Sequence, residues 1–291
     1  MAITRGEPGA DGLSEIVGVL REWQREGAPF QLHPGDLGWF WRFGAEATAA
    51  AVRTWSRDGR ILAVGLLDHP RLLRLAIAPD AHRDGELTRR LAKDMTEPEH
   101  GVLPEGKADV EVPDGDLGRD LRDSLFEDGW NAGEPWTPLR HDLTEPVNGL
   151  DVRIEVIGPD KAHMRTAVQR ASFDGSTFTD DRWHAMATGS PYGDARCLVA
   201  FDDQGDAVAA ATVWSAGPGR PGLLEPMGVH REHRGHGHGK AITVAAVAAL
   251  RESGSSSAIV LTPSSNTGAL ATYRSAGFRP LPEIHSLCRD T

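Results

Sequence analysis

The sequence predicts an α+β protein built as two tandem units, each a mixed, mostly antiparallel sheet flanked by helices. Three observations lead there. The chain has 291 residues, which suits two domains of about 145 residues each. The order of apolar patterns in the first half recurs in the second, with strands alternating with helices in the same succession. Each half also runs a strand into a turn and then a helix, at 77–87 and again at 229–239.

In chain order, residues 12–26 space their apolar residues as a helix, and 34–43 read as a second helical or irregular stretch. Strand-like runs follow at 49–55, 60–67 and 71–77, then a helix at 84–95. Residues 98–107 are rich in Pro, Gly and Glu and read as a loop. A strand (108–112), a helix (116–127) and a last strand pair (129–143) complete the first unit, and 144–150 is the linker. The second unit opens with a strand at 152–157 and helices at 160–173 and 179–187. Strands at 195–201, 207–214 and 222–229 lead to a glycine-rich turn and an alanine-rich helix at 237–252. A strand (257–261), a helix (265–276) and closing strands (278–288) end it. The expected domains are 1–146 and 150–291.

Hydrophobic residues make up 40% and charged residues 25%, so each unit can bury a core. Acidic residues outnumber basic ones 42 to 31, a formal charge of −11. Such a surface repels phosphate backbones and anionic lipid, which argues against nucleic-acid and membrane partners. No run of about 20 apolar residues suggests a span, and Arg5 is followed by no apolar h-region. A cytoplasmic protein follows, in which Cys197 and Cys288 could pair but are expected as reduced thiols.

The strongest local signal is Val229-His-Arg-Glu-His-Arg-Gly-His-Gly-His-Gly-Lys240. An apolar strand runs straight into alternate glycines and a helix. Glycines let successive N–H groups converge, and the helix N-terminus adds partial positive charge, making an anion site suited to a pyrophosphate. A Walker loop is excluded because Ala241 follows Lys240. The dinucleotide fingerprint fails too: Gly235 and Gly237 are present, but Lys240 stands where the third glycine belongs.

This turn resembles the Arg/Gln-x-x-Gly-x-Gly/Ala signature of the GCN5-related N-acetyltransferase (GNAT) superfamily, with Arg234, Gly237 and Gly239 in its fixed positions. About 30 residues on, after one strand, Asn266-Thr-Gly-Ala-Leu-Ala-Thr-Tyr-Arg-Ser-Ala-Gly-Phe278 is similar to that family's Asn-x-x-Ala-x-x-x-Tyr-x-x-x-Gly-Phe helix. The resemblance covers 152–288 and implies acetyl-CoA as co-substrate, with no metal. By it, pantetheine pairs with Met227, Gly228 and Val229 like an added strand. The pyrophosphate sits on the turn formed by Gly235, His236, Gly237, His238, Gly239 and Lys240, near Arg234 and Asn266. Arg274 or Lys240 is placed to neutralise phosphate.

Acetyl transfer to an amine needs a neutral nucleophile, and deprotonating an alkylamine at neutral pH costs roughly 4–5 kcal/mol. Glu225 is the candidate base: a charged residue within Leu-Leu-Glu-Pro on a central strand is unusual, and the resembled family often draws its base from that strand. Tyr273, by resemblance, protonates the departing thiolate. The N–H of Met227 or Val229 polarises the thioester carbonyl. Pro226 has no N–H and splays the strand there. The acceptor is expected to be a small-molecule amine, with Trp39, Trp41, Trp183, Tyr192 and Trp214 as candidate pocket walls, and the protein a monomer or homodimer. The layout is also similar to mycothiol synthases, so that chemistry stays an alternative.

His230, His233, His236 and His238 form a rival signal, since four histidines in nine residues can hold zinc or nickel. That pattern would make the chain a CoA- or metal-responsive binding module instead. The first half reads as a degenerate, structural copy. His82, Arg83 and Leu87 stand where Arg234, Gly235 and Gly239 do, and only Gly85 survives, opposite Gly237. Gly118 and Leu125 replace Asn266 and Tyr273, while Gly129-Trp130 keeps the final pair.

Overall fold

The structure, a computed structural model, describes residues 2–145 and 152–290. The first half runs β1 (Thr4–Gly6), α1 (Leu13–Trp23), α2 (Pro34–Phe40), α3 (Ala45–Ala51), β2 (Val52–Arg57), β3 (Arg60–His69), β4 (Leu72–Ile77), α4 (Gly85–Thr96), β5 (Ala108–Glu111), α5 (Asp116–Glu127) and β6 (Asn131–Asp142). The second runs β7 (Arg153–Val156), α6 (Ala162–Ser172), α7 (Asp180–Ala187), β8 (Ala195–Phe201), β9 (Ala207–Trp214), β10 (Gly222–Val229), α8 (His238–Glu252), β11 (Ser257–Pro263), α9 (Thr267–Ser275), β12 (Arg279–Pro280) and β13 (Ile284–Arg289). One order is built twice, as the repeated pattern predicts, with α3 added in the first half and a second closing strand in the second.

Local chemistry accounts for the elements. In α1, Leu13, Ile16, Val17, Leu20 and Trp23 are all buried, the three-and-four spacing of one helix face. Along β8, Leu198 and Ala200 join a core with α8 and α9, while Cys197, Val199 and Phe201 join another with α6 and α7. That period of two puts a helical layer on each side of the sheet. Two expectations fail here. The strand read at 49–55 starts only at Val52, because the alanine-rich stretch before it forms α3. The pair read at 129–143 is the single strand β6.

The reason β6 does not fold back is topological. All strands lie in one sheet of order β1-β2-β3-β4-β5-β13-β6-β11-β10-β9-β8-β7, with β12 beside β6. The chain's last strand, β13, is inserted between β5 and β6, pairing Leu287 with Val110 and with Ala132. In return β6 reaches into the second half, pairing with β11 from Trp136 to Asp142. The halves have exchanged closing strands. Their junction is therefore a continuous hydrogen-bonded ladder, and side chains from both halves meet at the crossing. The predicted linker lies, from 146 on, outside the described residues. Among those residues no helix is long and apolar enough to cross a membrane. Cys197 and Cys288 are both free thiols.

Candidate active site

The site begins where β10 stops behaving as an ordinary strand. Gly222 and Leu223 pair in parallel with Ala258 and Ile259 of β11, and no further pair follows. On the other edge, the register with β9 slips between Leu224 and Met227. Pro226 has no N–H to continue the ladder. Trp214 of β9 donates its indole N–H to the Glu225 carbonyl at 2.6 Å, which satisfies the oxygen the bulge releases. Beyond the bulge, His230 N–H bonds Val208 O at 2.8 Å, so Gly228 and His230 face β9. By alternation, Met227 and Val229 turn their N–H groups the other way, into the gap beside β11.

That gap is a cavity of about 760 Å³. The predicted strand residues Met227, Gly228 and Val229 line it, together with Arg234, Gly235, Gly237, His238, Gly239 and Lys240 of the turn, and Asn266. Gly237 caps α8 with φ +84°, a conformation open to glycine, and no side chain bonds the helix N-terminus. The first N–H groups of α8 are thus left for an anion.

Some predicted residues have other duties. Arg234 donates to Ser172 O at 2.8 Å, clamping the turn to the end of α6. Asn266 Oδ1 caps α9 by accepting the Ala269 N–H at 3.1 Å. His236 lines a neighbouring cavity of about 430 Å³, with His233, His238 and Asp202. Ring centroids lie 5.1 Å apart for His230 and His233, 6.2 Å for His236 and His238, and 6.4 Å for His233 and His238. Among the described residues, the group compact enough to chelate an ion is Glu97, Glu99 and His100, far along the chain from the turn.

Through the split in the sheet, a second cavity of about 360 Å³ adjoins the first. Glu225 and Tyr273 both line it. Burial, then the neighbouring charge of Asp36, pushes the Glu225 carboxyl up to about 8, against the opposing pull of Arg74. Burial, and then the charge of Glu225, raises the Tyr273 phenol above its usual range. The two groups therefore sense each other.

The residues missed in the sequence come from the first half. Asp36 is held beside Glu225 by α2, whose start is fixed by a reciprocal cap: His33 Nδ1 accepts the Gly35 N–H at 2.9 Å, and Asp36 accepts the His33 N–H at 2.6 Å. Burial drives the His33 ring down to about 4, so it is neutral and its Nε2 donates to Pro221 O at 3.2 Å, just before β10. Gly35 and Gly38 let α2 lie on Trp214: an added Cβ would stand 2.5 and 2.4 Å from that side chain. Asp68, Leu72, Arg74, Glu111 and Trp136 complete the wall of the second cavity. The tryptophans proposed as acceptor walls have packing roles. Trp183 and Trp214 are fully buried, Trp41 nearly so, and Trp39 stacks on Phe178. Tyr192 packs between Trp183 and Trp214.

A splayed strand edge thus lies beside an uncapped helix N-terminus. The model of the acetyltransferase (GNAT) family matches residues 165–278. No curated protein matches the sequence. Similar solved structures include a tandem GNAT protein from the clavulanic acid biosynthesis pathway, with a TM-score of 0.64 and 16% identity over 99% of this chain and 98% of that one. A GNAT-family acetyltransferase from Colwellia psychrerythraea gives 0.63 and 13% over all of both chains. A GCN5-related N-acetyltransferase from Sphaerobacter thermophilus gives 0.60 and 18%, over 99% and 95%. Residues 165–278 thus match the GNAT-family model, and the whole chain shares the fold of the tandem GNAT protein.

Proposed function

We propose that this protein transfers an acetyl group from acetyl-CoA to a primary amine of a small-molecule acceptor by direct attack, with residues 150–291 as the catalytic unit. The observation that carries the reading is the joining of two cavities across the split of β10 and β11. One offers an extended ligand free N–H groups, and the other holds Glu225 and Tyr273. Acetyl-CoA fits the first by its chemistry. Its pantetheine amides match the strand edge at Met227 and Val229, and its pyrophosphate matches the bare start of α8.

The co-substrate supplies an activated acetyl thioester. Glu225, ionised, takes a proton from the incoming ammonium and leaves a neutral amine. The N–H of Met227 or Val229 donates to the acetyl oxygen as negative charge gathers there. The amine nitrogen bonds the acetyl carbon; as the C–S bond breaks, Tyr273, kept protonated by its surroundings, gives its proton to the departing sulfur, and the excess proton left on the nitrogen replaces it on the phenol, directly or through water. The test is thiol release from acetyl-CoA in the presence of amines. Tyr273→Phe should slow it by on the order of 10²-fold or more while acetyl-CoA affinity is kept. An unchanged rate removes Tyr273 as the acid.

A further inference from the structure

The cavity that holds Glu225 and Tyr273 is walled on its far side by the first half of the chain, through β3, β4, β5 and β6. Its walls are not neutral. Arg74, buried on β4, sits among carboxylates. Its Nη1 bonds Asp36 Oδ1 at 2.8 Å, its Nε bonds Glu111 Oε2 at 2.8 Å, and Asp68 Oδ2 stands 3.6 Å from Nη1. Glu225, a fourth carboxyl, lines the cavity together with Arg74.

One further cation, Arg42, feels Asp68 and Glu225, but it is committed elsewhere. Its Nη1 donates to Trp39 O at 2.7 Å, and its guanidinium lies 4.3 Å from the ring centroids of both Trp39 and Phe43. Asp36, Asp68 and Glu111 thus share the single guanidinium of Arg74, and Glu225 joins them once it is ionised. Partly desolvated negative charge in excess of its partners is unfavourable, and a ligand cation offsets it. Asp36 has 3% of its side chain exposed, whereas Asp68 and Glu111 keep 27% and 29%. Those two are the carboxylates a ligand can reach. Leu72 and Trp136, lining the same cavity, offer apolar surface beside them.

Resting on the acetyltransferase reading, we propose that the acceptor is a diamine: one amine is presented to Glu225, the second, as an ammonium, is held by Asp68 and Glu111, and its methylenes lie against Leu72 and Trp136. The first half is then the part of the protein that selects the acceptor. The charge excess favours a dication over a monocation, and disfavours any acceptor bearing a carboxylate.

The experiment compares thiol release by the full-length protein with three matched acceptors: 1,4-diaminobutane, butylamine and 4-aminobutyrate. The diamine should exceed each of the others in kcat/KM by roughly tenfold or more. Asp68→Asn, at a part-exposed position whose ion-pair contact is long, should bring the diamine-to-butylamine ratio down towards one, mainly by raising KM for the diamine. Glu111→Gln should act in the same direction, and a melting curve for each variant separates loss of fold from loss of selectivity. Equal or better use of butylamine or 4-aminobutyrate by the wild type overturns the diamine and leaves the acetyltransferase reading standing. A diamine preference untouched in both variants overturns the assignment to Asp68 and Glu111. No thiol release with any amine, while acetyl-CoA still binds, overturns both.

Discussion

The two halves carry the same strand-turn-helix unit, and they differ in what occupies it. In the second half, the start of α8 has no side-chain cap, and Met227 and Val229 face a cavity. In the first half both places are filled from within. The Asp84 carboxylate accepts the N–H groups of Glu86 and Leu87, each at 3.1 Å, at the start of α4. It fills at α4 the place that is left bare at the start of α8. Along β4, Leu75 O accepts the Leu32 N–H at 3.1 Å, and Ile77 N–H donates to Gln31 Oε1 at 3.1 Å. The segment before α2 thus lies on the edge that corresponds to Met227 and Val229. Leu125, fully buried, stands opposite Tyr273, and the helix ends superpose in kind: Trp130 N–H bonds Leu125 O and Phe278 N–H bonds Tyr273 O, both at 3.0 Å. The lesson is that the first half satisfies with its own carboxylate and its own backbone segment the N–H groups that the second half leaves open.

If the open half alone does chemistry, Glu225→Gln should give the largest effect, a fall in turnover of roughly 10²- to 10⁴-fold with acetyl-CoA binding retained. In the wild type, kcat/KM should rise with pH and level off above about 8, because the base works only when ionised. The same group sets a stability slope. Its folded value lies above the ordinary 4.5, so the fold holds its proton more tightly than the unfolded chain does. Stability should therefore decline as pH rises between about 4.5 and about 8, and the Gln variant should lack that decline. A pH-rate profile flat across that window would remove Glu225 as the base.

Stoichiometry tests the contrast more directly. Calorimetric titration with acetyl-CoA should give one site per chain, lost on Gly237→Trp, where φ is +84°. Two sites would mean that Asp84 and Gln31 yield to the ligand, and the closed half would be open after all.

Much of this was legible in the sequence, and the boundary is instructive. The turn at 229–240 and the helix at 266–278 announce themselves because glycine spacing and capping act within a few residues. Leu87 and Leu125 likewise mark the altered copy. The strand exchange was illegible: nothing within 129–143 says that half of β6 pairs with β11, because register across a sheet is fixed by partners more than a hundred residues away. For the same reason Asp36 and Arg74 gave no signal. Arg74 sits on a strand that reads as ordinary core, and its carboxylates arrive from α2, β3 and β5. The histidine motif is a converse case: His233, His236 and His238 do line one cavity with Asp202, but among the described residues the group close enough to hold an ion is Glu97, Glu99 and His100.

The smallest expected effect isolates what closed the first half. Asp84→Ala removes a helix cap and the carboxylate paired with Arg57 at 2.6 Å. Loss of a cap of this kind costs about 0.5–2 kcal/mol, so a fall of a few degrees in Tm is expected. It should not create a second acetyl-CoA site. The helix start becomes bare like that of α8, but Gln31 and Leu32 still bond the edge of β4, so an extended ligand has nowhere to lie. A titration that rises to two sites in Asp84→Ala would show that the anion alone had closed the half and that the strand seal gives way. A titration unchanged at one site, with the Tm lowered, places the closure in the backbone, where a single substitution does not reverse it.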